Sequence, residues 1–379
     1  MVKVLLIIDD ASIGGGQKHL LWLAQFINSD KFQIAIICEK KGWLVDEINS
    51  INKLRGNRKI LHFPVTITNY FSFNAFLQMR EIIKTFKPDI IHTHGGTAGF
   101  YGRTASVLIK GCQLIHTYHG IHYLNQKKNL KTIIYKWIDR LLLIITDKII
   151  CVAQSDLQKG QDNKVVIKEK SVVIYNGVQV SDYNNAIKTG FQLRSDGIVI
   201  GSIGRLHTQK GYIFLIESAV KLLKEFDNIR FVIVGDGDLK PDLEHQITTL
   251  GIQNKFSFVG SRVNIIEELK NIDIFVLPSL WEGLPIVLLE AMSAKKPIIA
   301  TKVNGTLEIL TEGIDALLVD PKDSDQLANA VKSFLNNREM AVTLGSNAYE
   351  KVVTVFSLER MIREIEKLYL DVCGIDKND

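Results

Sequence analysis

The sequence predicts two α/β domains, each a parallel sheet with helices on both faces. Three observations carry that reading. The chain has 379 residues, long for one hydrophobic core and natural for two. Short apolar runs alternate with stretches of helical period along almost its whole length. That alternation lapses once, at residues 176–196 (NGVQVSDYNNAIKTGFQLRSD), whose polar and glycine residues read as a linker.

In the first half, strands are expected at residues 2–8, 32–38, 59–63, 89–92, 112–117, 148–152 and 171–174. Helical periods fall between most of them, at about 17–28, 73–86 and 130–145. Gly14-Gly15-Gly16 makes the turn after the first strand. A second series follows, with strands at 198–203, 230–234, 255–259, 273–277 and 297–300 and a helix at about 212–226. A last helix at 358–372 comes after this complete series and is expected to pack back on the first domain. The predicted boundaries are therefore 1–185, 186–356 and 357–379.

Composition narrows the class. An apolar content of 46 % with 23 % charged residues is that of a soluble globular protein. Cys38, Cys112, Cys151 and Cys373 lie far apart without CxxC spacing, as reduced thiols of a cytoplasmic protein do. The chain opens directly into a strand that meets Asp9 and Asp10, so no signal peptide is expected. No apolar run approaches the roughly 18–20 residues of a membrane span. Residues 1–185 hold 24 Lys+Arg against 14 Asp+Glu, a balance of +10, and the remainder holds 22 against 27, or −5. A basic half suggests an anionic partner, although surface charge also drifts without function.

The stretch at 277–297, LPSLWEGLPIVLLEAMSAKKP, organises the candidate chemistry. It follows a buried strand, turns at Pro278, Ser279 and Gly283, and enters a helix at Pro285. Glu282 lies on the turn and Glu290 on the helix. This describes a ligand site at the carboxyl end of a parallel sheet. In IGRLHTQKG at 203–211, Arg205 and Lys210 stand between a strand and a helix. Two cations beside a helix N-terminus suit a diphosphate, and they equally read as two solvated loop cations. Asp236-Gly237-Asp238 has the Asp-x-Asp spacing of a cation site, but a turn with an N-cap Asp explains it and no metal role is assigned.

The first half offers three weaker signals. Gly14-Gly15-Gly16 is not GxGxxG, because His19 replaces the last glycine, yet it permits close backbone approach to a ligand. Histidines crowd two strand ends: His92 and His94 in HTHGG, and His116, His119 and His122 in HTYHGIHY. Zinc is conceivable by ligand type, and histidines with backbone partners are the commoner case. Residues 126–140, QKKNLKTIIYKWIDR, form a basic amphipathic helix with Trp137 and Tyr135. It suits either contact with an anionic membrane or ordinary packing on the sheet.

GRLHTQKG, VGDGDL at 234–239, FVG at 258–260 and LPSLWEGLPIVLLEAM recur in this order in the retaining glycosyltransferases of the GT-B fold called family 4. The chain resembles that family over nearly all of residues 198–320. The resemblance implies two facing Rossmann-like domains with a cleft between them, the first for the acceptor and the second for a nucleotide-sugar, UDP-linked above others. It implies that Arg205 and Lys210 hold the donor diphosphate, Glu282 the transferred sugar and Glu290 the ribose, with Gly283 and Leu284 beside them. The base would meet Gly260 to Arg262. Gly15 and Gly16 would share in donor binding, His119 would lie beside the sugar, and His94, Gly95 and Gly96 would line the acceptor side. Glu308 matches a further acid of less definite role.

The resemblance implies no metal and no cofactor. HTYHGIHY is similar to members that build bacterial capsule, O-antigen or exopolysaccharide on glycan or lipid-linked acceptors, at the inner face of the plasma membrane. Nucleic acid is not an expected partner. The chain departs from the family at Asp315-Ala316, where a glycine-containing turn is usual, and nothing is carried over there. A non-hydrolysing nucleotide-sugar epimerase shares the architecture, and a catalytically silent partner of a membrane transferase is the reading of another class. The missing glycine fingerprint disfavours a dinucleotide-dependent oxidoreductase.

Overall fold

The computed structural model describes residues 1–67, 72–107, 109, 111–125, 129–187 and 197–375. The chain divides into two compact units, Met1–Asn176 with Glu359–Asp379, and Gly177–Leu358. Each contains one parallel sheet.

The first unit holds β1 (Val2–Ile7), β2 (Phe32–Cys38), β3 (Leu61–Pro64), β4 (Ile90–His94), β5 (Gln113–Tyr118), β6 (Lys148–Cys151) and β7 (Ser171–Val173). Their order is β3-β2-β1-β4-β5-β6-β7. The second holds β8 (Ile198–Ile203), β9 (Ile229–Val234), β10 (Phe256–Gly260), β11 (Ile274–Leu277), β12 (Ile298–Thr301) and β13 (Leu317–Val319). Their order is β10-β9-β8-β11-β12-β13. The predicted strands appear to within a residue or two, and β13 adds one that was not predicted. Strands covered on both faces read as continuous apolar runs, and β1, β8 and β11 are of that kind. In each sheet the order reverses once, between β1 and β4 and between β8 and β11. Loops leaving adjacent strands at such a point diverge and leave room for a ligand at the carboxyl ends.

Three expectations need correction. The first unit ends at Asn176, ahead of the predicted 185. Much of the expected linker is structure of the second unit: Val178, Tyr183 and Ala186 are buried, and Val180–Ala186 forms a 3-10 helix. Its apolar residues are too few and too closely spaced to show a period. Residues 188–196 of that stretch lie outside the described residues. Asp236 is not a helix cap. The helix Lys240–Thr249 starts after Leu239 without a side-chain cap, and Asp236 Oδ1 accepts the Gly237 N–H at 2.9 Å.

The helix Leu358–Val372 buries Met361, Ile365 and Tyr369, spaced at i, i+4 and i+8. Tyr369 Oη lies 2.6 Å from His92 Nδ1 on β4, and Glu366 Oε1 accepts the Asn28 N–H at 2.6 Å. This last helix thus belongs to the first unit's core.

Candidate active site

In the second unit the loops after β8 and β11 leave neighbouring strands and touch backbone to backbone. Gly211, at φ +64°, approaches the Pro278 carbonyl so closely that a Cβ would stand 2.2 Å from its oxygen. Only glycine fits that conformation and that contact. The Leu280 N–H donates to the Gln209 carbonyl at 2.7 Å and fixes the two loops in register.

This contact delivers Lys210 to Glu282. Lys210 Nζ donates to Glu282 Oε1 at 2.6 Å, and both side chains are largely buried. Ser279 Oγ donates to the same oxygen at 2.6 Å, and Gln209 Nε2 reaches Oε2 at 3.2 Å. Gln209 Nε2 also donates to the Trp281 carbonyl at 2.9 Å. A carboxylate offers about four lone-pair directions, so Oε2 keeps capacity for a further hydroxyl donor. The arrangement is a charge-neutral pair, rigidly held, with one acceptor position to spare.

The surrounding predicted residues divide. Gly283 and Leu284 are buried directly after Glu282. Glu290, on the helix Ile286–Ser293, is buried and accepts from Tyr183 Oη at 2.8 Å. It is therefore no surface acid, and the residue covering it belongs to the expected linker. Arg205 is exposed, with no ion-pair partner among the described residues. Gly260 ends β10 at φ +75° with open space beside it. Arg262 points elsewhere, Nε pairing with Glu268 Oε1 at 3.1 Å. Glu308 lies on the short helix Asn304–Ile309. Asp315, at the departure from the family pattern, is buried and pairs with Lys351 at 2.7 Å.

In the first unit the corresponding loops gather histidines. Gly15 and Gly16 open the helix Gly15–Phe26, and a Cβ on Gly16 would lie 3.3 Å from His119. His94, the last residue of β4, places Nδ1 3.1 Å from His119 Nε2. Gly95, at φ +83°, and Gly96 lead into the helix Gly96–Ala105. His19 packs edge-on against His119, and its Nδ1 lies 2.9 Å from Asn176 Oδ1. His92 and His116 are taken up by Thr117 and Thr93 hydroxyls, at 2.6 and 2.8 Å. His122 opens the 3-10 turn His122–Asn125.

The basic helix is Leu130–Ile145; Gln126, Lys127 and Lys128 lie outside the described residues. It buries Leu142 and Leu143 and is anchored by Asp139, which pairs with buried Arg103 at 3.0 Å and accepts from Tyr123 at 2.8 Å. Its outer face carries Leu130, Ile133, Ile134, Trp137, Leu141 and Ile144, between 47 % and 75 % exposed. Packing on the sheet thus accounts for one face only. Lys136 and Arg140 flank the stripe and bond Asn163.

Sequence reasoning missed Gln209, Ser279, Tyr183 and His19 as members of these clusters. Ser279 and Gln209 stood beside the named residues, but only the loop contact shows which hydroxyl and which amide reach the acid.

Two doubly wound parallel-sheet units in one chain are the architecture of the GT-B glycosyltransferases. Residues 13–182 match the family described as Glycosyltransferase Family 4, and residues 184–351 that described as Glycosyl transferases group 1. The chain belongs to this family of glycosyltransferases. It is 28 % identical over 378 residues to the UDP-Gal:alpha-D-GlcNAc-diphosphoundecaprenol alpha-1,3-galactosyltransferase of Escherichia coli, covering 95 % of this chain and 94 % of that one. It is 24 % identical to the capsular polysaccharide biosynthesis glycosyltransferase CapM of Staphylococcus aureus, over 93 % and 96 % of the two chains. Anabaena HepE, solved with UDP and glucose, has a similar fold, with a TM-score of 0.83, 21 % identity and coverage of 98 % and 100 %. Among the described residues no helix is long and apolar enough to cross a membrane.

Proposed function

We propose that this glycosyltransferase moves a hexosyl or N-acetylhexosaminyl group, with retained configuration, from a UDP-sugar to a lipid-linked glycan acceptor in bacterial surface polysaccharide synthesis. One observation carries the proposal: the Glu282 carboxylate, held by Lys210, Ser279 and Gln209 at the switch point of the second sheet. On this reading Glu282 accepts a sugar hydroxyl through its spare position. Lys210 and Arg205 stabilise the departing diphosphate, supplying electrostatically what a metal supplies elsewhere. The sugar passes through an oxocarbenium-like state, and the acceptor hydroxyl attacks from the face the diphosphate leaves. Glu290 holds the ribose, Gly260 and its neighbours the base, and His119 lies beside the sugar. The name of the Escherichia coli relative supports a UDP-sugar donor and a diphospholipid-linked acceptor.

The test is a panel of nucleotide-sugars in thermal shift. A ligand at 100 times its Kd stabilises by about 2.7 kcal/mol, so one UDP-sugar is expected to raise the melting temperature by several degrees. Formation of an epimer without acceptor would instead identify an epimerase, and silence toward every donor would leave a binding subunit.

The outward stripe of the helix Leu130–Ile145 favours a second element, peripheral contact with anionic lipid at the inner membrane face. An apolar face flanked by cations lies in the headgroup region, gaining from both burial and charge. The double substitution Ile134→Glu, Trp137→Glu is expected to weaken sedimentation with phosphatidylglycerol vesicles at least about tenfold, with no change in donor binding. Equal sedimentation of both proteins would remove this element.

A further inference from the structure

His19, His94 and His119 each offer a ring nitrogen, and the three lie within 4.8 Å of one another. They come from three separate places in the first unit: the helix after β1, the end of β4 and the loop after β5. Each ring also has a buried nitrogen with no hydrogen-bond partner among the described residues: Nε2 of His19, Nε2 of His94 and Nδ1 of His119. Of these, His19 Nε2 is the orphan that a shared ligand would satisfy; on His94 and His119 the atoms that face each other are Nδ1 and Nε2, and it is these that would bind the ligand.

The chemistry of the set selects a cation. Three imidazoles without a carboxylate are a nitrogen donor set of the kind a zinc-class ion takes. Asn176 Oδ1 sits 2.9 Å from His19 Nδ1, and in the tautomer that donates there Nε2 is the free lone pair. A side-chain or backbone oxygen behind the imidazole is the usual support of a metal-binding histidine. His94 Nδ1 and His119 Nε2 are 3.1 Å apart. That is close to the roughly 3.4 Å between two nitrogens on one tetrahedral zinc. The third nitrogen lies within 4.8 Å of both.

We propose that His19, His94 and His119 form a three-histidine site for a zinc-class divalent ion, and that filling it blocks glycosyl transfer. The second half rests on the reading that places His119 beside the transferred sugar. A ring nitrogen committed to a metal cannot serve a sugar hydroxyl, and the ion with its fourth ligand occupies the same space. The set contains no carboxylate, so magnesium and calcium, which need oxygen ligands, neither bind here nor inhibit. The ion is thus a regulator or inhibitor of the reaction, and the catalytic step remains metal-independent.

Cobalt titrated into the full chain tests the site without any assay of activity. One equivalent is expected to give the visible absorption of four-coordinate cobalt, and zinc is expected to displace it. His19→Gln and His94→Gln should each weaken binding at least about tenfold. His122→Ala, in the same histidine string but outside the trio, should bind as the unaltered protein does. Circular dichroism melts of all three variants separate a lost site from a lost fold. Absence of cobalt and zinc binding, or unchanged binding in a folded His19→Gln, overturns the site. Stoichiometric zinc is further expected to suppress transfer at least tenfold and a chelator to restore it. Stoichiometric binding with undiminished transfer would uphold the site and overturn both the block and the placement of His119.

Discussion

Lys210→Ala is expected to lower kcat/KM for transfer by about 10²–10³-fold, the scale of removing one preorganised charge from a developing anion. The fold should survive. Glu282 would still receive Ser279 Oγ and Gln209 Nε2, so no buried carboxylate is left without donors. The contrast with Glu282→Gln assigns the roles. Lys210→Ala should lose the thermal shift produced by UDP alone, because it removes the cation that meets the diphosphate. Glu282→Gln should keep much of the UDP shift and lose transfer, because an amide keeps the shape but replaces a charged acceptor of the sugar hydroxyl with a neutral one. Near-normal transfer by Lys210→Ala would defeat the electrostatic mechanism. Loss of UDP binding in both variants alike would mean that the pair serves only to hold the two loops together.

Most of the sheet architecture was legible because buried parallel strands are continuous apolar runs, and Val2–Ile7, Ile198–Ile203 and Ile274–Leu277 are unbroken or nearly so. Lys210 and Glu282 were legible as types in the right loops. That they pair was not, since the partners are 72 residues apart in sequence and meet only because β8 and β11 are neighbours. Tyr183 shows the opposite limit. A single buried turn, Val180–Ala186, carries too few apolar residues to reveal a period, so the residue that covers Glu290 looked like linker. His19 was visible only as the residue that spoils a glycine motif. Its closeness to His94 and His119 depends on which strands are adjacent, and local spacing does not encode strand order. The outer stripe of Leu130–Ile145 had a helical pattern in the sequence. The pattern could not say which of its two apolar faces the sheet would take.

Gly305→Ala is expected to be the most damaging single-methyl change near the site. Gly305 lies on the helix Asn304–Ile309, and its α carbon rests against the loop that carries Glu282. A Cβ there would stand 1.3 Å from the Gly283 carbonyl oxygen and 3.3 Å from the Glu282 carbonyl carbon. The obstacle is backbone and cannot rotate away. Relief requires the loop or the helix to retreat by about 2 Å before ordinary van der Waals contact is restored. Overpacking of this kind costs about 1–3 kcal/mol, and more where the backbone itself must move. Any retreat of Gly283 carries Glu282 with it, away from Lys210 Nζ. The same substitution is therefore expected to lower the melting temperature by several degrees and to abolish the donor-induced shift. Leu307→Ala, on the exposed side of the same short helix, supplies the control. It removes more atoms but should change stability by less than about 0.5 kcal/mol and leave the donor response intact. A Gly305→Ala protein with unaltered stability and a full UDP-sugar shift would show that this contact does not hold the acid in place. Glu282 would then owe its position to its side-chain hydrogen bonds alone.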